Sequence, residues 1–317
     1  MAGLEVRLFG KFSVIGSGQA AVDLEACKAQ ELFSYLLLHR QRPHAREVLC
    51  ELLWGNGDIT QTRKHLRQAL WQLHGALDQL IEPGGERILL IEPQWVRINS
   101  RADLWVDVNA FEQAYSLVEG TPGQELDANS VRILEGAVEL YRGDLLEDWY
   151  HDWCLYDRER LQNLCLVLLD KLMAHCEMRG KYEIGLGYGE RILRFDRARE
   201  RTHRGMMRQQ YLGGDRTGAL RQYERCVAAL DEELGIQPAK GTVDLYNQIR
   251  LDHLGDHAVR PNEGDLASVN SFSATLERIG RLSEILTGVQ QQVQQLRQDL
   301  QTANADLDMR GDHHSVH

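Results

Sequence analysis

The sequence predicts a mainly α-helical chain that opens with a small α+β module and closes on a single amphipathic helix. Three observations carry that expectation. Residues 4–24, LEVRLFGKFSVIGSGQAAVDL, alternate apolar and polar side chains at the period of a half-buried strand. From Val106 to about residue 252, nearly every segment repeats apolar residues at helical spacing. From Phe272 to Leu300 the spacing becomes a strict heptad.

The alternating stretch reads as a small antiparallel sheet around a turn at Gly16-Ser17-Gly18. Residues 26–40 form a helix on Leu32, Phe33, Leu36 and Leu37, with a break at Arg42-Pro43. Residues 45–54, AREVLCELLW, form a second helix, and Asn56-Gly57-Asp58 a turn. A third, long helix covers 59–81. Asp58 and Gln61 are spaced as its capping box, and Pro83-Gly84-Gly85 stops it. Residues 87–98, RILLIEPQWVRI, read as a β-hairpin turning near Glu92-Pro93. Sheet, helix, helix, long helix, hairpin is the order of an OmpR-type winged helix, placed at residues 1–105.

The third helix has two faces. Leu66, Leu70, Leu73 and Leu77 fall within about 60° of one another at 100° per residue, and form the packing face. The opposite face carries Lys64, Arg67, Gln68, Trp71 and Gly75, flanked by Thr60 and Arg63. Arg and Lys can meet guanine N7 and O6 or phosphates, Gln can bind adenine, and an aromatic ring can touch a thymine methyl. A solvated cationic face is the plainer reading of these residues. The sheet before them and the hairpin after them favour DNA. Trp71 keeps two roles open: base contact, or packing against the wing or the next domain.

Net charge is −11, but the acidity is regional. Residues 1–105 hold 12 Lys/Arg and 12 Asp/Glu, residues 106–250 hold 19 and 25, and residues 251–317 hold 5 and 10. The N-terminal third is therefore neutral, with a local cationic cluster, which is compatible with DNA binding. No apolar run approaches 18 residues and the N-terminus lacks a signal-peptide pattern, so a cytoplasmic chain without a membrane span is expected. The six cysteines, at 27, 50, 154, 165, 176 and 226, include no CxxC pair and read as buried free thiols, not metal ligands. No GxxxxGK[ST] loop and no HExxH helix occur. His151, Asp152 and Cys154 lie too close in sequence for a nucleophile constellation and fit a helix start better. The sequence therefore predicts no catalytic residue, no metal and no cofactor.

Residues 106–252 read as one helical domain with breaks at 120–128, near Gly143, at Gly180, near Asp196, at Gly213-Gly214 and at Gly235–Pro238. Two helix pairs, 160–195 and 199–234, repeat near the tetratricopeptide period. In the second pair Ala219, Leu220, Tyr223, Val227, Leu230 and Leu234 share a face. Residues 253–271 read as a linker. In the coiled-coil segment 272–302, Phe272, Ile279, Leu286, Val293 and Leu300 take one core position, and Thr275, Leu282, Val289 and Leu296 the other. A lone helix cannot bury this stripe, so it must pair with its copy, another protein or its own helical domain; the expectation is a homodimer or higher homo-oligomer resting on Ile279, Leu282, Leu286, Val289, Val293, Leu296 and Leu300. Residues 303–317 read as a disordered tail.

Residues 219–246, ALRQYERCVAALDEELGIQPAKGTVDLY, and 141–172, YRGDLLEDWYHDWCLYDRERLQNLCLVLLDKL, resemble the bacterial transcriptional activator domain of regulators of the Streptomyces antibiotic regulatory protein type. The run GDITQTRKHLRQALWQLHGAL, a hairpin, and then ADLWVDVNAFEQAY match how the winged helix of those regulators hands over to the helical domain. The resemblance implies a DNA-binding activator of transcription that reads repeated half-sites on double-stranded DNA and contacts RNA polymerase. Carried across, Lys64, Arg67, Gln68 and Trp71 face bases, and Arg63, Arg87 and Arg97 face phosphates. Two departures stand out. Asp196-Arg197 replaces the usual Asp-Pro, and Gly185, Gly187 and Gly189 crowd one helix, making it either looser or unusually close to a neighbour. The competing reading is a protein-interaction adaptor whose winged helix does not bind DNA.

Overall fold

The computed structural model describes residues 3–16, 27–55, 57–80 and 85–254. Strands β1 (Leu4–Arg7) and β2 (Ser13–Gly16) pair antiparallel, with Leu4 opposite Gly16 and Arg7 opposite Ser13. The turn between these two strands is therefore at residues 8–12, where Gly10 takes φ +79°; Ser17 and Gly18 of the expected turn lie outside the described residues. Gly16 closes β2. A left-handed glycine supplies the reversal without steric cost.

Helices α1 (Cys27–Leu38), α2 (Arg46–Trp54) and α3 (Ile59–Asp78) follow. Leu32, Phe33, Leu36 and Leu37 of α1 are all fully buried, as their spacing predicts. The Asp58 carboxylate accepts the Thr60 N–H at 2.9 Å and starts α3. Strands β4 (Leu89–Ile91) and β5 (Trp95–Ile98) form the expected hairpin, closed by Glu92 N–H to Trp95 C=O at 2.8 Å. Two short strands were not legible in the sequence. β3 (His44–Ala45) pairs with β5 and gives a sheet of order β3-β5-β4. β6 (Leu104–Val106) runs parallel to β1 and gives the order β2-β1-β6. Two or three residues are too few to display an alternation; their partners define them.

The helical part comprises α4 (Asp107–Val118), a 3-10 turn (Gly123–Glu125), α5 (Ala128–Leu140), α6 (Asp152–Met178), α7 (Tyr182–Phe195), α8 (Glu200–Leu212), α9 (Arg216–Leu234) and α10 (Lys240–Leu251). α6 packs on α7, and α8 on α9, as successive hairpins. Gly235 (φ +64°) ends α9 in a left-handed cap, with its N–H on Asp231 C=O at 3.0 Å. The buried face of α9 runs through Ala219, Gln222, Cys226, Ala229 and Leu230, while Leu234 is 58% exposed. Of the predicted stripe, Ala219 and Leu230 are buried and Leu220 and Tyr223 pack half-buried against the core that includes Leu245 and Ile249, while Gln222 also turns inward to bond His203 Nδ1 at 2.8 Å.

The glycines of α7 mark close packing. A Cβ on Gly189 would lie 2.6 Å from Met206 Cγ, and one on Gly185 would overlap the Gln209 amide. Gly187 has open space around it. Five cysteines are buried and Cys27 is exposed. Among the described residues, no helix is long and apolar enough to cross a membrane. The linker, coiled coil and tail expected from 253 onward lie outside the described residues, apart from His253 and Leu254.

Candidate nucleic-acid interface

α3 is amphipathic in the sense its sequence predicts. Thr62, Leu66, Ala69, Leu70, Leu73 and Leu77 are buried against the rest of the N-terminal part. Thr60, Arg63, Lys64, Arg67, Gln68 and Trp71 are all exposed on the other side. Trp71 is 77% exposed, which rules out its packing against the wing or the helical domain within the described residues. Nothing lies within 4 Å of a Cβ placed on Gly75, so the outer surface of α3 is unobstructed.

Two of the predicted contact residues are already engaged. Arg63 Nη2 lies 2.6 Å from Glu47 Oε1 on α2. Arg97 Nη2 lies 3.9 Å from Glu92 Oε1 across the hairpin. Both pairs are solvent-exposed, so each is weak and exchangeable for a phosphate. Glu47 was not foreseen as part of the site; its place beside Arg63 depends on how α2 crosses α3.

The hairpin brings Arg87 and Arg97 to one shallow cleft of about 350 Å³, which His74 of α3 lines from the other side. A second cleft, across the strand, joins Arg97 to Arg101. His74 and Arg101 were not among the predicted residues. His74 is bonded to Asp78 at 3.0 Å, an i,i+4 pair readable in the sequence. The structure thus separates two cationic groups: Lys64 and Arg67 on the helix, and Arg87, Arg97 and Arg101 along the hairpin.

The reactive-looking residues are structural. His151 precedes the first turn of α6, and Cys154 is fully buried with its thiol 3.8 Å from Leu145 C=O. Burial pushes that thiol up to about 11, the opposite of nucleophile activation. Cys165 and Cys226 are pushed up to about 12 for the same reason.

The two parts of the chain meet along a polar seam. Asp107, at the start of α4, accepts Leu8 N–H, Phe9 N–H and Val108 N–H at 2.7–2.9 Å. Burial pushes its carboxyl up against the pull of those three donors. His39, just past the end of α1, reaches Asp157 of α6 at 3.4 Å, and Trp153 Nε1 reaches buried Glu31 at 3.5 Å. Phe9, Phe111 and Tyr141 close the apolar side of this seam, with ring centroids 4.7–6.0 Å apart.

The described residues form a winged helix with an exposed cationic helix, joined to stacked helical hairpins. Residues 106–250 match the family described as bacterial transcriptional activator domain, just under half of the chain. The chain carries that domain, and the relatives it is similar to are transcriptional regulators. It is similar to transcriptional regulatory protein MoaR1 of Mycobacterium tuberculosis and of Mycobacterium bovis, each 23% identical over 229 residues, covering 70% of this chain and 71% of the relative. Its fold is similar to that of Mycobacterium tuberculosis EmbR, solved in complex with a low affinity phosphopeptide. The TM-score is 0.61 at 18% identity, over 88% of this chain and 71% of EmbR.

Proposed function

We propose that this regulator binds double-stranded DNA in a sequence-specific way, reads repeated half-sites through α3, and activates transcription. The outer face of α3 carries the reading. Lys64, Arg67, Gln68 and Trp71 stand exposed on one helix whose other side is fully packed, so the helix is rigid and its chemistry is unspent. Arg87 and Arg97 on the hairpin supply phosphate contacts that orient it. The helical domain contacts RNA polymerase, and the heptad at 272–300 pairs copies so that neighbouring half-sites are filled together.

The test is genome-wide immunoprecipitation of DNA with the tagged protein, beside Lys64→Ala/Arg67→Ala. Sharp peaks sharing a repeated motif, lost in the variant, are expected. Peaks that persist in the variant overturn the role of α3. No peaks from the folded parent protein favour the adaptor reading.

A further inference from the structure

We propose that Arg158 is a positioning residue: it holds residues 144–149 as a clamp that locks the winged helix to the helical domain and so fixes the direction in which α3 is presented. The consequence for DNA rests on the reading of α3 given above; the clamp itself does not.

The clamp begins with a close approach of two backbones. A Cβ on Gly143 would lie 3.3 Å from the Gly10 Cα, so a side chain there would push the two backbones a few tenths of an ångström apart. Residues beyond it then pair with that turn. Gly10 N–H donates to Asp144 C=O at 2.8 Å, Leu146 N–H to Leu8 C=O at 2.8 Å, and Glu147 N–H to Gly10 C=O at 3.0 Å. Asp107 grips the same turn from its other flank through Leu8 N–H and Phe9 N–H. One short loop of the winged helix is thus held from two sides by the helical part.

Within segment 144–149 the regular structure is limited to one antiparallel bridge, Leu145 to Phe9, and a turn in which Trp149 N–H donates to Leu146 C=O at 2.9 Å. Leu146 sits at φ +48°, a conformation that a branched side chain adopts only when its surroundings impose it. Arg158, one turn and more into α6, adds to these backbone bonds from the side of the helical part. Its Nε donates to Leu145 C=O at 2.9 Å, and its Nη2 donates to Leu146 C=O at 2.7 Å and Trp149 C=O at 2.8 Å. A planar fork presents its donors in fixed directions from two nitrogens, whereas a lysine head offers its three donors from one freely rotating point. Directional bonds of this kind select one orientation, whereas an apolar seam alone lets two domains slide.

The measurement is a spin-label distance between the two parts of the full-length chain. Labels go on Gln68→Cys of α3 and Glu224→Cys of α9, both exposed, in a Cys27→Ser background, because Cys27 is the exposed thiol. The parent is expected to give one narrow distance distribution. Arg158→Ala should broaden or displace it with helical circular dichroism unchanged, and Arg158→Lys should restore it only in part. A narrow, unshifted distribution in folded Arg158→Ala overturns the proposal. If that variant does not fold, Gly143→Leu, which pushes the clamp off Gly10, decides by the same readout.

The DNA arm uses probes carrying two recovered half-sites, at native spacing and shifted by about 5 base pairs, half a helical turn. Arg158→Ala should lose discrimination between the spacings while binding a single half-site as the parent does. Retained spacing discrimination in a variant with broadened distances overturns the functional consequence. A parent that binds no probe sinks the DNA reading, and the distances still decide the clamp.

Discussion

The outer face of α3 and the seam between winged helix and helical domain are both rich in charge, and they use it in opposite ways. On α3, Lys64 and Arg67 stand in solvent and Arg63 holds an exposed glutamate. In the seam, Arg158 serves three carbonyls, Arg160 joins Glu112 at 2.7 Å and Asp157 at 3.1 Å, and Glu31 and Asp157 are buried. Residue type does not separate the two. What separates them is whether the partner is already inside the chain. An arginine whose donors are satisfied internally is structural. One whose partner is absent or exchangeable can meet a ligand.

Stability measurements can break that comparison, and the largest effect is expected from acid. Burial pushes His44, which donates to His39 C=O at 2.9 Å, down to about 4. Burial also lowers His39. A histidine lowered in the folded state contributes stability that is complete above its unfolded value near 6.5 and is lost as pH falls toward 4. For His44 the loss is about 3 kcal/mol, since one unit is 1.36 kcal/mol. Urea unfolding at pH 7 and pH 4.5 should show it. His44→Gln, which keeps a donor but does not titrate, should flatten it.

Removing Arg160 leaves the buried Asp157 with His39 as its remaining ion-pair partner among the described residues, at a cost of about 3 kcal/mol. Lys64→Ala/Arg67→Ala should leave stability within about 0.5 kcal/mol, because both side chains are exposed. Equal losses in the two variants would erase the distinction between seam and surface.

Glycines sharpen the contrast further. Gly189→Ala places a methyl 2.6 Å from Met206 Cγ and should cost about 1–3 kcal/mol. Gly75→Ala meets nothing within 4 Å on α3 and should stabilise by about 1 kcal/mol. Thermal midpoints moving in opposite directions are the expected result.

The smallest effect should come from Glu47→Gln. It frees Arg63 from its 2.6 Å pair and should raise affinity for operator DNA about 2–5-fold at low salt, the scale of an exposed ion pair. Titration by fluorescence anisotropy reads it. A drop in affinity would mean that Glu47 orients Arg63 for its contact.

Much of this was legible because periodicity is local. The helices at 27–38, 46–54 and 59–78, the hairpin at 89–98 and the cap at Gly235 all follow from spacing and turn chemistry within a few residues. Leu66, Leu70, Leu73 and Leu77 announce which way α3 faces, and so which residues it leaves outside. Strands β3 and β6 were hidden because their partners lie about 50 and 100 residues away. The burial of Gln222 on α9 was hidden because its partner, His203, lies on another helix.

The sequence by itself determined the order of elements, the inner and outer faces of α3 and the family resemblance, since each is written in neighbouring residues. Only the tertiary structure decided that Trp71 stays open, that Glu47 occupies Arg63, that Gly185 and Gly189 are packing contacts, and that Arg158 holds the seam. Each of those depends on atoms brought together from different elements, and a one-dimensional pattern carries no distance between them.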